Sequence, residues 1–300
     1  MSVASDSLPK VAMIGLGMMG LPMATCLLKA GFPVVGADLS ASARAAFAAA
    51  GGAAFEQARD AVAGADVVIT MLPDGRIVRD ALLGDGGIAA VLPAGTLVLD
   101  MSSSAPIGTV RLGAELAALE LRFVDAPVSG GVRRAVDGTL AIMAGGSAAD
   151  VEAARPVLAA MGRSVFATGP LGSGHAMKAL NNYVSAAGLL ASCEALAIAE
   201  AFGIAPETVV DVLNASTGRN NSTETKLKPF VLSGTFGSGF ALALMAKDLR
   251  TAADLAAEVG IEEGLIECSA RKWEQARAGL RPGADHTEIS SFVGTRHKAR

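Results

Sequence analysis

The chain has few bulky side chains, few thiols and no strong bias of charge. One Trp and one Tyr stand among 300 residues, so the 51% of hydrophobic residues is carried mainly by Ala, Val and Leu, with 35 Gly besides. Small apolar side chains in this abundance suit close-packed helices and sheet rather than a disordered chain. The net charge is −4, and no run of Lys or Arg is longer than two neighbours. Nucleic acid and an anionic membrane surface are therefore not expected as partners. Cys26, Cys193 and Cys268 are too far apart for a CxxC pair and have no metal-type spacing with His. All three read as buried free thiols in apolar helical context, which implies a reducing, cytoplasmic compartment. MSVASDSLPK has no apolar stretch of the secretory kind, so no signal is expected. The long apolar segment 183–202 is interrupted by Glu194 and Glu200 and is not expected to span a membrane.

What remains is a chain long enough for two domains. Strand-like apolar runs at 11–14, 33–37, 67–71, 96–100, 122–125, 140–144 and 165–168 are separated by helical patterns at 19–30, 41–50, 75–83, 106–119 and 149–161. Strand and helix in alternation, with strands apolar throughout rather than at every second residue, predict a mostly parallel sheet covered on both faces. "SARAAFAAAGGAA" reads as an Ala-rich helix and its Gly stop. After Gly169 the pattern is helical only. A long helix over 174–202 is ended by Gly203, another opens at Pro206, and more follow near 223–234, 242–260 and 262–279. The predicted fold class is α/β, with a Rossmann-type domain at 1–168 and an all-α domain at 169–300, the long helix leading from one into the other.

The stretch "KVAMIGLGMMGLPMA" sets Gly15, Gly17 and Gly20 in GxGxxG register between a strand and a helix. The first glycine permits a tight turn, the second lets backbone approach a pyrophosphate, and the third lets helix pack on strand. Leu16, Met18 and Met19 complete the loop, and the amide-rich helix start faces the phosphates. Asp38 stands eighteen residues past Gly20, at the end of the second strand. Its carboxylate can accept from a ribose 2′-hydroxyl and would repel a 2′-phosphate, so NAD is expected as cofactor, with NADP the alternative through Arg44. Ser40 competes with Asp38 for the role of helix cap.

"GLGMMGLPMA" (15–24), "DAPVSGG" (125–131), "GSGHAMKALNN" (172–182) and "MAKDL" (245–249) appear in the order and spacing of the motif blocks of the β-hydroxyacid dehydrogenases. Over nearly its whole length the chain resembles that family, in the branch with 3-hydroxyisobutyrate dehydrogenase and tartronate semialdehyde reductase. The resemblance implies NAD(P)-linked interconversion of a 3-hydroxy acid and its semialdehyde, in a cleft between a Rossmann-type and a helical domain. It also implies that Lys178 is the catalytic lysine and Asn182 its partner. Ser129, Gly130 and Gly131 would hold the substrate carboxylate, and Lys247 would approach cofactor and substrate. Met71, Leu72, Pro73 and Ser103 would line the cofactor, and the enzyme would be a homodimer or homotetramer.

The residues themselves allow this chemistry. Lys178 and Asn182 are four apart and share a helix face. Oxidation of a carbinol needs a base for the hydroxyl proton, and a lysine serves when desolvation or a nearby cation brings its pKa from ~10.4 toward ~7–8. Asn182 can orient the hydroxyl without competing for its proton, while Asn181, about 100° away, is expected to hold backbone or domain contacts. Two glycines and a serine at 129–131 suit a carboxylate. His175 and His286 read as surface or capping residues.

The chain departs from the branch at "NASTGRNNSTETK" (214–226), where Asn220 and Asn221 follow Gly218 and Arg219 in place of an aromatic. A more polar pocket and a more hydroxylated substrate are expected from that change. Arg133 and Arg134 leave room for a second anionic group on the substrate. The competing readings are an imine reductase and a non-catalytic cofactor-binding scaffold of the same layout, and both lack a lysine at the position of Lys178.

Overall fold

The computed structural model describes residues 8–261 and 264–298. The first strands and helices are β1 (Val11–Ile14), α1 (Gly20–Lys29), β2 (Val34–Ala37), α2 (Ala41–Ala49), β3 (Ala53–Phe55), α3 (Ala58–Ala61), β4 (Val67–Thr70) and α4 (Gly75–Leu83). There follow β5 (Leu97–Asp100), α5 (Pro106–Ala117), β6 (Arg122–Asp125), β7 (Val128–Ser129), α6 (Gly131–Val136), β8 (Leu140–Gly145), α7 (Ala148–Ala159) and β9 (Gly162–Gly169). The strands are ordered β3-β2-β1-β4-β5-β6-β8-β7, with β9 paired to β8. Pairing is parallel from β3 through β6 and again between β8 and β9, whereas β8 runs antiparallel to β6 and β7.

Successive residues of the central strands feed two separate cores, as side chains alternate across a sheet. Val11 and Met13, Val67 and Ile69, and Leu97 and Leu99 pack on one face, and Ala12, Ile14, Val68 and Val98 on the other. Both faces are dry, which is why these strands read as continuous apolar runs. The order reverses direction between β1 and β4, and at such a point an open α/β sheet leaves a crevice beyond its carboxyl ends.

The all-helical part contains α8 (Ser173–Phe202), α9 (Pro206–Ala215), α10 (Asn221–Thr225), a single π-helical turn at Leu227–Leu232, α11 (Leu242–Glu258), α12 (Leu265–Gly279) and α13 (Ile289–Lys298). The chain divides into two compact units between Lys178 and Ala179, inside α8. By length and composition α8 could cross a membrane. Ala186, Leu189, Leu190, Cys193 and Leu196 on it are instead buried in the helical core with Leu249 and Trp273. Of the helix expected over 262–279, residues 262–263 lie outside the described residues. Short elements were the ones the sequence concealed. β3 is an exposed three-residue edge strand, and β7 has two residues before Gly130 and Gly131 turn the chain into α6.

Candidate active site

Gly15 follows β1 with φ +99°, a conformation open to glycine, and its amide donates to the Ala37 carbonyl at 2.8 Å. A side-chain carbon there would strike the Met71 carbonyl, and one on Gly20 would overlap the carbonyl oxygen of Gly15. Around Gly17 the same test meets no atom within 4 Å. Two glycines therefore let the chain pack on itself, and the third faces open space. Leu16 is buried, Met18 is exposed and Met19 is the N-cap residue of α1, whose N-terminus has no side-chain cap. Uncapped amides beside an open glycine fit a pyrophosphate.

Asp38 at the end of β2 accepts from the Leu16 amide through Oδ2 (2.7 Å) and from the Ser40 amide through Oδ1 (2.8 Å). It thus fixes the glycine loop while keeping lone pairs for ribose hydroxyls. Ser40 takes the cap of α2 by accepting from the Ala43 amide, so the two residues divide the roles for which they compete in the sequence. Arg44 donates to the carbonyls of Asp38 and Leu39 at 2.9 and 3.0 Å and pairs with Glu56 at 3.2 Å. Its guanidinium is already engaged on three sides.

The other expected cofactor residues continue along the carboxyl edge of the sheet. Met71 follows β4 and donates its amide to the Ile14 carbonyl at 2.9 Å. The Leu72 amide donates to Ser102 Oγ at 2.9 Å, with Pro73 exposed beyond it. Ser103 stands half-buried in the loop after β5, between buried Ser102 and Ser104. Asp100 anchors that loop, accepting from the Ser102 amide (3.0 Å) and the Ser104 hydroxyl (2.7 Å), and also from the Thr70 hydroxyl (2.9 Å).

At the end of β6 lies a group the sequence reading overlooked. Asp125 is fully buried and accepts the amides of Gly172 and His175, each at 2.7 Å, so one carboxylate satisfies two donors at the start of α8. Burial pushes its carboxyl above the ordinary carboxylate range, opposed by His175 and those amides. The approach is close. A side-chain carbon on Gly145 would come within 2.6 Å of Asp125 Oδ1, and one on Gly174 within 2.7 Å of the Asp125 carbonyl. Lys178 follows on α8, half-buried.

Ser129 ends β7 opposite Ala141, and Gly130 and Gly131, at φ +134° and +66°, make the turn into α6. Arg133 and Arg134 are exposed on α6. In the second unit, Asn182 is buried and donates through Nδ2 to Asp248 Oδ2 at 2.6 Å, while its Oδ1 accepts from Asn181 at 3.2 Å. Asp248 is buried too and lies 3.5 Å from the Lys247 ammonium. "MAKDL" thus contributes an acid that orients Asn182 as well as its lysine, and Asn181 is an exposed residue that steadies Asn182.

Three sequence expectations are corrected. His175 and His286 are not surface residues: both are buried in hydrogen-bond networks. Burial lowers the pKa of His286, which lies beside Ser238 and Phe240. Cys26 and Cys193 are buried, but Cys268 is exposed, because it falls on the outer face of α12. Finally, Asn220, expected to make a pocket more polar, is engaged locally as a helix cap. Its carbonyl caps α10 by accepting from Ser222 and Thr223, and its Nδ2 donates to Ser192 and to the Gly218 carbonyl. Asn221 is exposed and bonded by Thr225.

Similarity to known proteins agrees with this geometry. Residues 10–169 match the NAD binding domain of 6-phosphogluconate dehydrogenase, and residues 172–293 match the NAD-binding family of NADP-dependent 3-hydroxyisobutyrate dehydrogenase. The chain is 37% identical to 2-(hydroxymethyl)glutarate dehydrogenase of Eubacterium barkeri, over 90% of this chain and 89% of the relative. It is 41% identical to NAD-dependent L-serine dehydrogenase of Pseudomonas aeruginosa, over 82% and 85%. The structure of Mycobacterium tuberculosis 3-hydroxyisobutyrate dehydrogenase with L-serine superposes with a TM-score of 0.88 at 34% identity, covering 95% of this chain and 99% of that one. With a glycine loop fitted to a dinucleotide and matches along both halves, the chain belongs to the β-hydroxyacid dehydrogenase family and is an NAD(P)-dependent oxidoreductase acting on a hydroxy acid.

Proposed function

We propose that the protein oxidises the primary alcohol of a short acid of the form HOCH2–CH(X)–COO⁻ to its semialdehyde, with NAD preferred over NADP. Serine, 3-hydroxyisobutyrate and 2-(hydroxymethyl)glutarate, named in three of the relatives, all contain this unit and differ only in X. The observation that carries the reading is the unbroken line of bonded loops from Asp38 through Leu16, Met71, Leu72 and Ser102 to α8, the helix that bears Lys178.

In this reading residues 1–168 bind the dinucleotide and 169–300 complete the enzyme. Gly15, Leu16, Gly17, Met18, Met19 and Gly20 receive the pyrophosphate. Met71, Leu72, Pro73, Ser103 and Lys247 line the cofactor. Asp38 accepts the ribose hydroxyls, and its charge disfavours a 2′-phosphate that Arg44, already paired with Glu56, is poorly free to meet. Ser129, Gly130 and Gly131 hold the substrate carboxylate. Neutral Lys178 takes the hydroxyl proton, and Asn182, oriented by Asp248, fixes the hydroxyl oxygen. The bound nicotinamide supplies the acceptor for the hydride that leaves the carbinol carbon. In the reverse direction protonated Lys178 returns the proton to the nascent alkoxide.

The test is a panel of HOCH2–CH(X)–COO⁻ acids assayed with NAD and with NADP by absorbance of the reduced cofactor. Turnover of none of them overturns the reading. A preference for the glutarate derivative would assign its second carboxylate to Arg133 and Arg134. An imine reductase or a scaffold would instead leave every acid unconsumed.

The same reading places the enzyme in the cytoplasm as a homodimer or homotetramer. Val184, Ile198 and Phe202 on α8, with Ile261 and Leu265, are apolar and 63–85% exposed. Light scattering on the purified protein measures the subunit number, and a monomer would reject the assembly.

A further inference from the structure

The proposed hydride chemistry has no use for a group of buried ionisable residues where α8 meets the sheet. His175 is 1% exposed, Asp100 1% and Asp125 0%. Burying such groups is costly, and an apolar contact of equal volume is often the more stable solution. What they supply and an apolar contact cannot is direction.

The His175 ring links three elements. Nε2 lies 3.1 Å from the Ser102 carbonyl, and a carbonyl only accepts, so Nε2 carries a hydrogen. Nδ1 meets the Thr109 hydroxyl of α5 at 2.8 Å. Asp125 Oδ2 stands 3.5 Å from Nδ1, and Asp100 Oδ2 is 3.7 Å from Nε2. Asp125 also binds the amide of the same histidine, so main chain and side chain of one residue are fixed by β6, the β5–α5 loop and α5 together. That loop carries Ser103. Three residues further along α8, on the same face and about 4.5 Å up the axis, is Lys178.

We infer that Asp125 and His175 are positioning residues for Lys178, a clamp that sets the register of the first turn of α8 against the Ser102–Ser104 loop. The inference rests on the reading of Lys178 as the acid/base. With the clamp intact the lysine is presented at a fixed height relative to the loop expected at the nicotinamide. Without it, the turn keeps only its backbone bonds and the hydroxyl contact of Ser173 with Thr168 at 2.8 Å, and can shift by a fraction of an ångström.

The experiment uses the full-length protein, the preferred acid from the panel and NAD. His175→Ala should lower kcat by about 10- to 100-fold, the range expected of a misplaced catalytic group. The Kd for NAD, read by fluorescence without turnover, should stay within about twofold. Amide exchange over 172–178 should speed up. His175→Gln, which can still donate to the Ser102 carbonyl, should recover much of the loss. Because the clamp acts through the lysine, His175→Ala combined with Lys178→Ala should be no slower than Lys178→Ala alone. An unchanged kcat in His175→Ala, or a further loss in the double variant, overturns the clamp and leaves the role of Lys178 standing. Retained turnover in Lys178→Ala overturns that role, and the clamp with it. Should His175→Ala fail to fold, Thr109→Val removes one bond from the ring and should lower kcat several-fold with NAD affinity unchanged. An unaltered kcat there counts equally against the clamp.

Discussion

A side-chain carbon on Gly20 would overlap the carbonyl oxygen of Gly15, so the first turn of α1 lies directly on the loop that precedes it. Gly17, two residues past Gly15, has no atom within 4 Å of the same test position and no positive φ. Packing therefore requires glycine at Gly20, whereas at Gly17 it leaves space that the proposed site gives to the pyrophosphate. Gly20→Ala should destabilise the protein by about 3 kcal/mol, since backbone must move to admit the methyl. Gly17→Ala should leave the melting temperature nearly unchanged and weaken NAD binding at least about tenfold, because the methyl occupies space meant for ligand. Calorimetry and a binding titration on both variants separate the two. Equal losses of stability would contradict the geometry.

In the proposed site Asp38 would offer the cofactor a charge as well as a hydrogen-bond acceptor. Asp38→Asn keeps an oxygen for the Leu16 amide and removes the charge that opposes a 2′-phosphate. The ratio of kcat/KM for NADP to that for NAD should rise by about tenfold or more. Adding Glu56→Gln frees Arg44 from its carboxylate and should raise the ratio again. A ratio unmoved by either change would mean that selection is made elsewhere in the site.

Lys178→Ala should abolish turnover, by about 10³-fold or more if the lysine is the only general base. NAD affinity should be retained, since the glycine loop and Asp38 are untouched. Rapid-mixing measurement of the hydride step, together with the Kd for NAD, checks both halves of the statement.

How far the sequence disclosed this can be traced through individual residues. The strand–turn–helix around Gly15, Gly17 and Gly20, with Asp38 at the end of the next strand, was legible because dinucleotide-binding units place glycines and an acid at fixed intervals. The parallel core was legible because strands buried on both faces leave unbroken apolar runs such as 11–14 and 67–70. Asp125 and His175 were not legible as a pair. Fifty residues separate them, and each has a bland local meaning: the acid opens a turn and the histidine sits in the first turn of a helix. Asp248 was not legible because it lies 66 residues from Asn182, the side chain it holds, and nothing local in "MAKDL" marks that pairing. Asn220 misled in the opposite sense. Its spacing to Thr223 also fits a capping box, in which both side chains are used locally, and the structure shows that role.

The three thiols should behave unequally. Burial raises the pKa of Cys26 and pushes that of Cys193 up to about 12, so neither offers thiolate near neutrality. Cys268 is exposed on α12. A disulfide reagent at pH 8 should modify one thiol rapidly in the native protein and all three after denaturation. Fast reaction of a second thiol would mean that α1 or α8 opens on the time scale of the assay.

The helical unit should also lose stability in mild acid through one residue. Burial, aided by the Lys226 ammonium, lowers the pKa of His286 below its ordinary 6.5, against the pull of Asp285 and the Phe240 carbonyl. The unfolded chain takes up a proton as pH falls through 6.5, and the folded chain resists until the lower folded value is reached. Over that window the unfolded state binds more protons, so the stability present above pH 6.5 is lost on acidification, with a slope of at most ~1.4 kcal/mol per pH unit for one group. Asp285 is held below its ordinary 3.8, so the stability tied to its own titration is lost only at lower pH and does not mask the effect. His286→Gln removes the titration and keeps a polar side chain beside Ser238. The fall in melting temperature between pH 7 and pH 5.5 should be a few degrees smaller in this variant than in the wild type. An identical acid shift in both proteins would place the sensitive group elsewhere.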